Sequence, residues 1–113
     1  MILRIFEVRA REGKTETLRR KLEDTSVSVV EGHRGNHGHL FGDELSPDGR
    51  DLVFISLWED MDAVQARFGE HWDQSYLPAG YAELIESHSL KHFRVRGRVD
   101  ADALASLALA SSG

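Results

Sequence analysis

The stretch "DLVFISLW", residues 51–58, limits the fold more than any other part of the chain. Side chains alternate along a strand, so Leu52, Phe54 and Trp58 lie on one face and Val53, Ile55 and Leu57 on the other. A strand that is apolar on both faces belongs in the middle of a sheet covered on both sides. The remaining segments have to supply the neighbours and the covers.

Residues 2–10 predict another such strand, with Ile2, Phe6 and Val8 on one face and Leu3, Ile5 and Glu7 on the other. After the turn "REGK" the period changes. From about Thr15, Leu18, Leu22, Ser26 and Val29/Val30 recur at helical spacing, and Gly32 sits where a C-cap is expected. A second strand is expected near 37–45, and "SPDG" (46–49) has the residue order of a tight hairpin turn. Asp60 can cap a helix that carries Met61, Val64, Phe68 and Trp72 on one stripe. Pro78 and Gly80 break that helix within "SYLPAG" (75–80). "YAELIE" (81–86) reads as a short helical piece and "HSLKHFRV" (88–95) as a fourth strand. The tail "DADALASLALASS" (100–112) reads as a short helix, with Asp100 or Asp102 as its cap and a Leu104/Leu107/Ala108 stripe.

The order β-α-β-β-α-β is that of a ferredoxin-like α+β domain with an antiparallel sheet, here residues 1–96, followed by a tail at 97–113. Two helices cover only one face of a four-stranded sheet. Leaving Ile, Val and Phe exposed on the other face costs roughly 25 cal/mol per Å². The simplest cover is the same face of a second copy, which gives a homodimer with the two sheets packed together. A monomer with the tail helix laid over the sheet is the competing arrangement.

Composition narrows the function classes. The net charge is −5, which argues against a broad nucleic-acid surface. The one basic run, "FRVRGR" (93–98), is short and reads as a strand end. There are no cysteines, which removes thiolate metal sites, disulfides and cysteine nucleophiles. No apolar run approaches the roughly 18 residues of a membrane span. The first residues alternate and carry charge, unlike a signal peptide, so a cytoplasmic protein is expected.

"EGHRGNHGHLFG" (31–42) holds His33, His37 and His39. On a regular strand His37 and His39 share a face, about 7 Å apart. A catalytic metal site needs a third ligand. Glu44 is too far along the strand, Asp43 is four residues from His39, and His33 is separated from the strand by Gly35. No metal or other cofactor is therefore expected. His39 is either a partly wet edge-strand residue or a proton carrier lining a pocket. His71 borders the stripe of the second helix, either as a boundary residue or as a general base for a phenolic substrate. Trp72, Tyr76 and Tyr81 are either core or the aromatic walls of a pocket for a small flat molecule. Trp58 ends a strand and reads as core. Glu7 is either paired with Arg9 on the same strand face or a pocket acid or base.

"GNHGHLF" after the first helix and "LVFISLWEDMDAVQARF" across the third strand and second helix resemble the antibiotic-biosynthesis-monooxygenase domains. The resemblance covers roughly residues 1–95 and rests on Gly35, Gly38 and the strand-end pair Trp58–Glu59. Arg34 and Asn36 stand where the family usually has proline and phenylalanine. The resemblance implies a dimeric α+β barrel with one pocket per subunit between helices and sheet. Its members include oxygenases that oxidise polycyclic phenols without metal or flavin, and haem degraders. The haem-degrading pattern is not met, because Glu7, Arg67 and Tyr76 or Leu77 replace its asparagine, tryptophan and histidine. The resulting expectation is a cofactor-independent monooxygenase-like protein acting on a small aromatic or quinol-type metabolite. The alternative is a non-catalytic small-molecule binder or structural dimer. Candidate catalytic residues are His71, Glu7 and His39. Candidate substrate-binding residues are Trp72, Tyr76, Tyr81, Asn36, Arg67 and Phe68.

Overall fold

Four strands are hydrogen-bonded in one antiparallel sheet: β1 (Ile2–Ala10), β2 (Asn36–Asp43), β3 (Asp51–Trp58) and β4 (Ile85–Arg94), in the order β2-β3-β1-β4. The helices are α1 (Thr15–Val30), α2 (Met61–Phe68) and α3 (Ala101–Ser112). In this computed structural model residues 1–112 are described, with side chains through Leu107. The two doubly apolar strands take the two central places, and the fold is the ferredoxin-like α+β arrangement.

Register explains the core. Phe6 lies opposite Phe54 on one side and Leu90 on the other, and Val8 lies opposite Leu52 and His88. Even-numbered residues of β1, β3 and β4 therefore share one face, and α1 and α2 cover it. Ile2, Val8, Ala10, Leu52, Phe54 and Trp58 are buried there against Leu18, Leu22 and Val30 of α1 and Val64 of α2. Trp58 is fully enclosed because its Nε1 donates to Ser56 Oγ at 2.9 Å, so no polar atom is stranded. The opposite face carries Leu3, Ile5, Val53, Ile55 and Leu57, all half-buried, with Leu40 and Phe93 exposed.

Gly35 has φ +85°, and a Cβ there would lie 2.5 Å from the Cβ of Ala63. Its carbonyl accepts from the amide of Glu59 at 2.8 Å. A glycine at this point lets α2 approach the start of β2.

Several expectations are corrected. α2 ends at Phe68 because Gly69 takes φ 74°, and a 3₁₀ turn over Gly69–His71 follows, so Trp72 is not on the helix. Segment 81–86 is a single 3₁₀ turn (Ala82–Leu84) that passes directly into β4, which begins at Ile85. β2 spans Asn36–Asp43, shorter at its far end than read. Glu44 instead closes the hairpin, its Oε1 accepting from the amides of Arg50 and Asp51. His37 is the extra residue of a bulge between Asn36 and Gly38, which breaks the simple alternation that would pair it with His39. In the tail helix Leu104 and Leu107 are 48% and 46% exposed, and Phe93 on the outer sheet face is 49% exposed. The Ala108 side chain of the expected stripe lies outside the described residues.

Candidate functional site

Arg4 stands on β1 between Ile2 and Phe6, so alternation turns it toward the helices. It is only 5% exposed. Its Nη1 donates to the carbonyl of Trp72 at 2.6 Å and lies 2.9 Å from Nε2 of His92, its register partner on β4. The guanidinium carbon is 3.6 Å from the centroid of the Phe68 ring, a cation–π contact. No carboxylate pairs with Arg4 or Arg67 among the described residues.

A buried charge without a counter-ion is costly, and the two neighbouring acceptors with one aromatic face offset only part of that cost. Burial, and then the nearby Arg67, lower the Arg4 pKa to about 10, so it stays cationic at neutral pH. Burial, and then the Arg4 charge, push the His92 imidazole down to about 4, with Asp73 opposing. His92 is thus neutral at pH 7. An arginine only donates, so Nε2 of His92 is the acceptor and the ring proton sits on Nδ1. Trp72 packs edge-on against this imidazole at 5.0 Å.

Arg4 lines a cavity between α1, the sheet and the irregular segment after α2. Phe6, Phe54, Phe68, Tyr76 and Tyr81 are its aromatic lining, and Ser26, Val29 and Pro78 complete it. The enclosed part is small, about 30 Å³, within a gap of about 400 Å³ that includes its opening to solvent. Water fits as the chain stands. A ring requires segment 73–80 to yield, and that segment contains Tyr76, which is 55% exposed, and Pro78.

The fold gathers some of the sequence candidates here and scatters others. Phe68, Tyr76 and Tyr81 line the cavity. Tyr81 contributes only its ring, since its hydroxyl donates to the Lys21 carbonyl at 3.0 Å and touches the Thr25 hydroxyl. Trp72 borders the site through its carbonyl and His92. Arg67 is held at the side, where its Nε donates to the Val29 carbonyl at 2.5 Å and its guanidinium carbon is 5.2 Å from the Phe68 ring. His39 shares the covered face but lies toward the β2 edge, 5.6 Å from the Phe41 ring and 6.1 Å from Phe54.

Three candidates are elsewhere. His71 is exposed in the 3₁₀ turn, because Gly69 ends the helix that would have aimed it inward. Glu7 is exposed on the outer sheet face, opposite Val53 and Ser89. The expected Glu7–Arg9 pair does not form. Arg9 instead binds Asp51, its cross-strand neighbour, at 2.8 Å. Asn36 ties the bulge together, donating to the Leu57 carbonyl at 3.2 Å and accepting from the Gly38 amide at 3.3 Å. Arg4 and His92, which hold the centre, were absent from the sequence-derived set. For Arg4 the signal was available, a charge at an even position of an otherwise apolar strand face, whereas His92 shares its β4 face with His88 and Arg94 and does not stand out there.

Among the described residues, no three His, Asp or Glu side chains are grouped as a metal site would need. Haem does not suit this cavity either, since no imidazole lines it and a guanidinium occupies its floor. No helix of the described residues is long and apolar enough to cross a membrane.

Fold and cavity together define a small ferredoxin-like domain with its pocket between helices and sheet. Residues 1–72 match the family model described as antibiotic biosynthesis monooxygenase, and the chain belongs to that family. No curated protein matches it by sequence. Solved structures share the fold at low identity. Protein PA3566 from Pseudomonas aeruginosa has TM-score 0.66 at 16% identity, covering 85% of this chain and 94% of its own. A variant of SnoaB, a cofactor-independent oxygenase from Streptomyces nogalater, has TM-score 0.63 at 17% identity, covering 87% and 95%. A variant of MhuD with two manganese protoporphyrin IX bound per active site has TM-score 0.66 at 21% identity, covering 89% and 100%.

Proposed function

We propose that this chain is a monooxygenase-like protein that oxidises a small phenolic or quinol-type aromatic with O₂, using neither metal nor flavin, in the cavity floored by Arg4. The observation that carries this reading is a buried guanidinium without a carboxylate partner, facing a cavity walled by phenylalanine and tyrosine. SnoaB is a fold neighbour described as a cofactor-independent oxygenase, which supports the reaction class.

The chemistry asks for little from the protein beyond a dry site and one positive charge. The cation favours the phenolate over the phenol, whose proton leaves to solvent at the mouth beside Tyr76. The phenolate passes one electron to O₂, giving an aryloxyl radical and superoxide, and the same cation stabilises the negative charge throughout. The pair recombines at a ring carbon that bears hydrogen, forming a C–O bond, and the peroxide takes up a proton. Loss of the ring proton and of water breaks the O–O bond and leaves a quinone. The sum is phenol plus O₂ giving quinone plus water. The narrow enclosed space favours one ring over a polycycle. In this reading the outer sheet face packs against the same face of a second copy.

Oxygen uptake with a panel of single-ring phenols and hydroquinones, corrected for autoxidation, tests the proposal. Uptake matched one-to-one by quinone is expected, and no enhancement across the panel contradicts it. The small enclosed volume favours a second reading, a non-catalytic binder, whose mark is saturable binding of the same phenols with no oxygen consumed.

A further inference from the structure

The Arg4 guanidinium is only half used. Such a group carries five N–H donors in a planar fork. Both hydrogens of Nη1 are engaged, one by the Trp72 carbonyl and one by His92 Nε2. The other edge, made of Nε and Nη2, has no hydrogen-bond partner among the described residues. No buried side-chain nitrogen or oxygen is sealed off without a partner among the described residues, so this edge keeps some accessible surface, and Arg4 is one of the residues that line the cavity. Its orientation is fixed from three sides: the two acceptors hold Nη1, and Phe68 lies under the plane at 3.6 Å. His92 cannot compete as a cation, because it is neutral at working pH.

A rigid, water-poor, side-on fork beside aromatic walls matches one kind of ligand. Two oxygens on one carbon, spaced to meet two parallel N–H bonds, make a bidentate pair. A phenolate oxygen alone would satisfy only part of that edge. A phosphate dianion would lack a second fork, since Arg67 is turned to the Val29 carbonyl. We infer that the Nε–Nη2 edge of Arg4 binds the carboxylate of a single-ring aromatic acid, whose ring lies among Phe6, Phe54 and Phe68. This rests on the oxygenase reading for the identity of the site, and it narrows the substrate class to phenols that bear a carboxyl group. One guanidinium has to meet both groups, which places the carboxyl and the phenolic oxygen on neighbouring ring carbons and leaves the far edge of the ring toward the Tyr76 mouth, where O₂ and water have access.

Anaerobic calorimetric titration of the purified protein tests the fork apart from turnover, using 2-hydroxybenzoate, 2-hydroxybenzyl alcohol and 2-hydroxybenzylamine. The acid is expected to bind about tenfold or more tightly than the alcohol, the scale of one charge-assisted hydrogen bond, and the amine not to bind. Arg4→Met should abolish the difference between acid and alcohol. Arg4→Lys, which keeps the charge and loses the fork, should recover only part of it. Equal binding of acid and alcohol, or an unchanged preference in Arg4→Met, overturns the inference. If either variant fails to fold, the three-ligand comparison on the natural chain decides alone. Acid-selective binding with no oxygen uptake would uphold the fork and remove the oxygenase reading. Oxygen uptake with no preference for the acid would do the reverse.

Discussion

Arg4 is a poor choice for stability and a good one for binding. A buried cation without a carboxylate loses more hydration than a carbonyl, an imidazole and one ring return. Replacing it with an apolar side chain of similar length should therefore not harm the fold. Arg4→Met is expected to melt at the same temperature as the natural chain or higher, while losing ligand binding, as calorimetric and spectroscopic melts would show. A clear drop in melting temperature would mean that Arg4 is structural. His92 gives a second expectation at this scale. Its pKa is about 4 in the fold, against an ordinary 6.5. Between those values the unfolded chain binds the extra proton more readily, so stability falls as pH drops from about 6.5 toward 4 and this contribution levels off below. Denaturant titrations across that range should lose this part of the slope in His92→Gln, which keeps an acceptor near Arg4. Burial is the first cause of the His92 shift, followed by the Arg4 charge, with Asp73 opposing. Arg4 was legible in principle. Strand alternation alone places it on the Ile2, Phe6 and Val8 face, but a search for apolar periodicity passes over the charge that interrupts it.

At the level of elements, β1, α1 and β3 were readable because local pattern and tertiary demand agree. α2 was not, because its apolar stripe runs on through Trp72 while Gly69 has already ended the helix at φ 74°. Side-chain period does not report a backbone that turns left-handed. That single misjudged end accounts for the misplaced His71. The pattern of "YAELIE" looks helical and hides the start of β4, yet only three of those residues form a 3₁₀ turn and the strand begins at Ile85. The junction of β2 and α2 carries the sharpest expectation. Gly35→Ala adds a Cβ 2.5 Å from the Cβ of Ala63 at φ +85°. It should cost about 2 kcal/mol or more in a denaturant melt, since both the backbone and the packing object. Ala63→Gly should restore part of that loss, although in a helix it costs roughly 1 kcal/mol by itself. Asp60→Ala removes the carboxylate that accepts from the Ala63 amide at 2.9 Å, and should cost about 1 kcal/mol.

Across the whole molecule, one sheet face is covered by helices and the other carries Leu3, Ile5, Val53, Ile55 and Leu57, all half-buried. The sheet-to-sheet dimer proposed above would cover that face with the same face of a second copy. Ile55→Asp should shift the chain from dimer to monomer in sedimentation equilibrium. A natural chain that is already monomeric at micromolar concentration would remove the sheet-to-sheet dimer. The central claim, however, is that chemistry happens at Arg4 and on the helix-covered face. The most direct test is turnover of a carboxylated single-ring hydroquinone under ¹⁸O₂, followed by mass spectrometry of the quinone, for the natural chain, Arg4→Met and His71→Ala. One labelled oxygen per product is expected from the natural chain and from His71→Ala, with a loss of about tenfold or more in Arg4→Met, the cost of one charge stabilisation. Unlabelled product, or Arg4→Met turning over like the natural chain, would contradict the account.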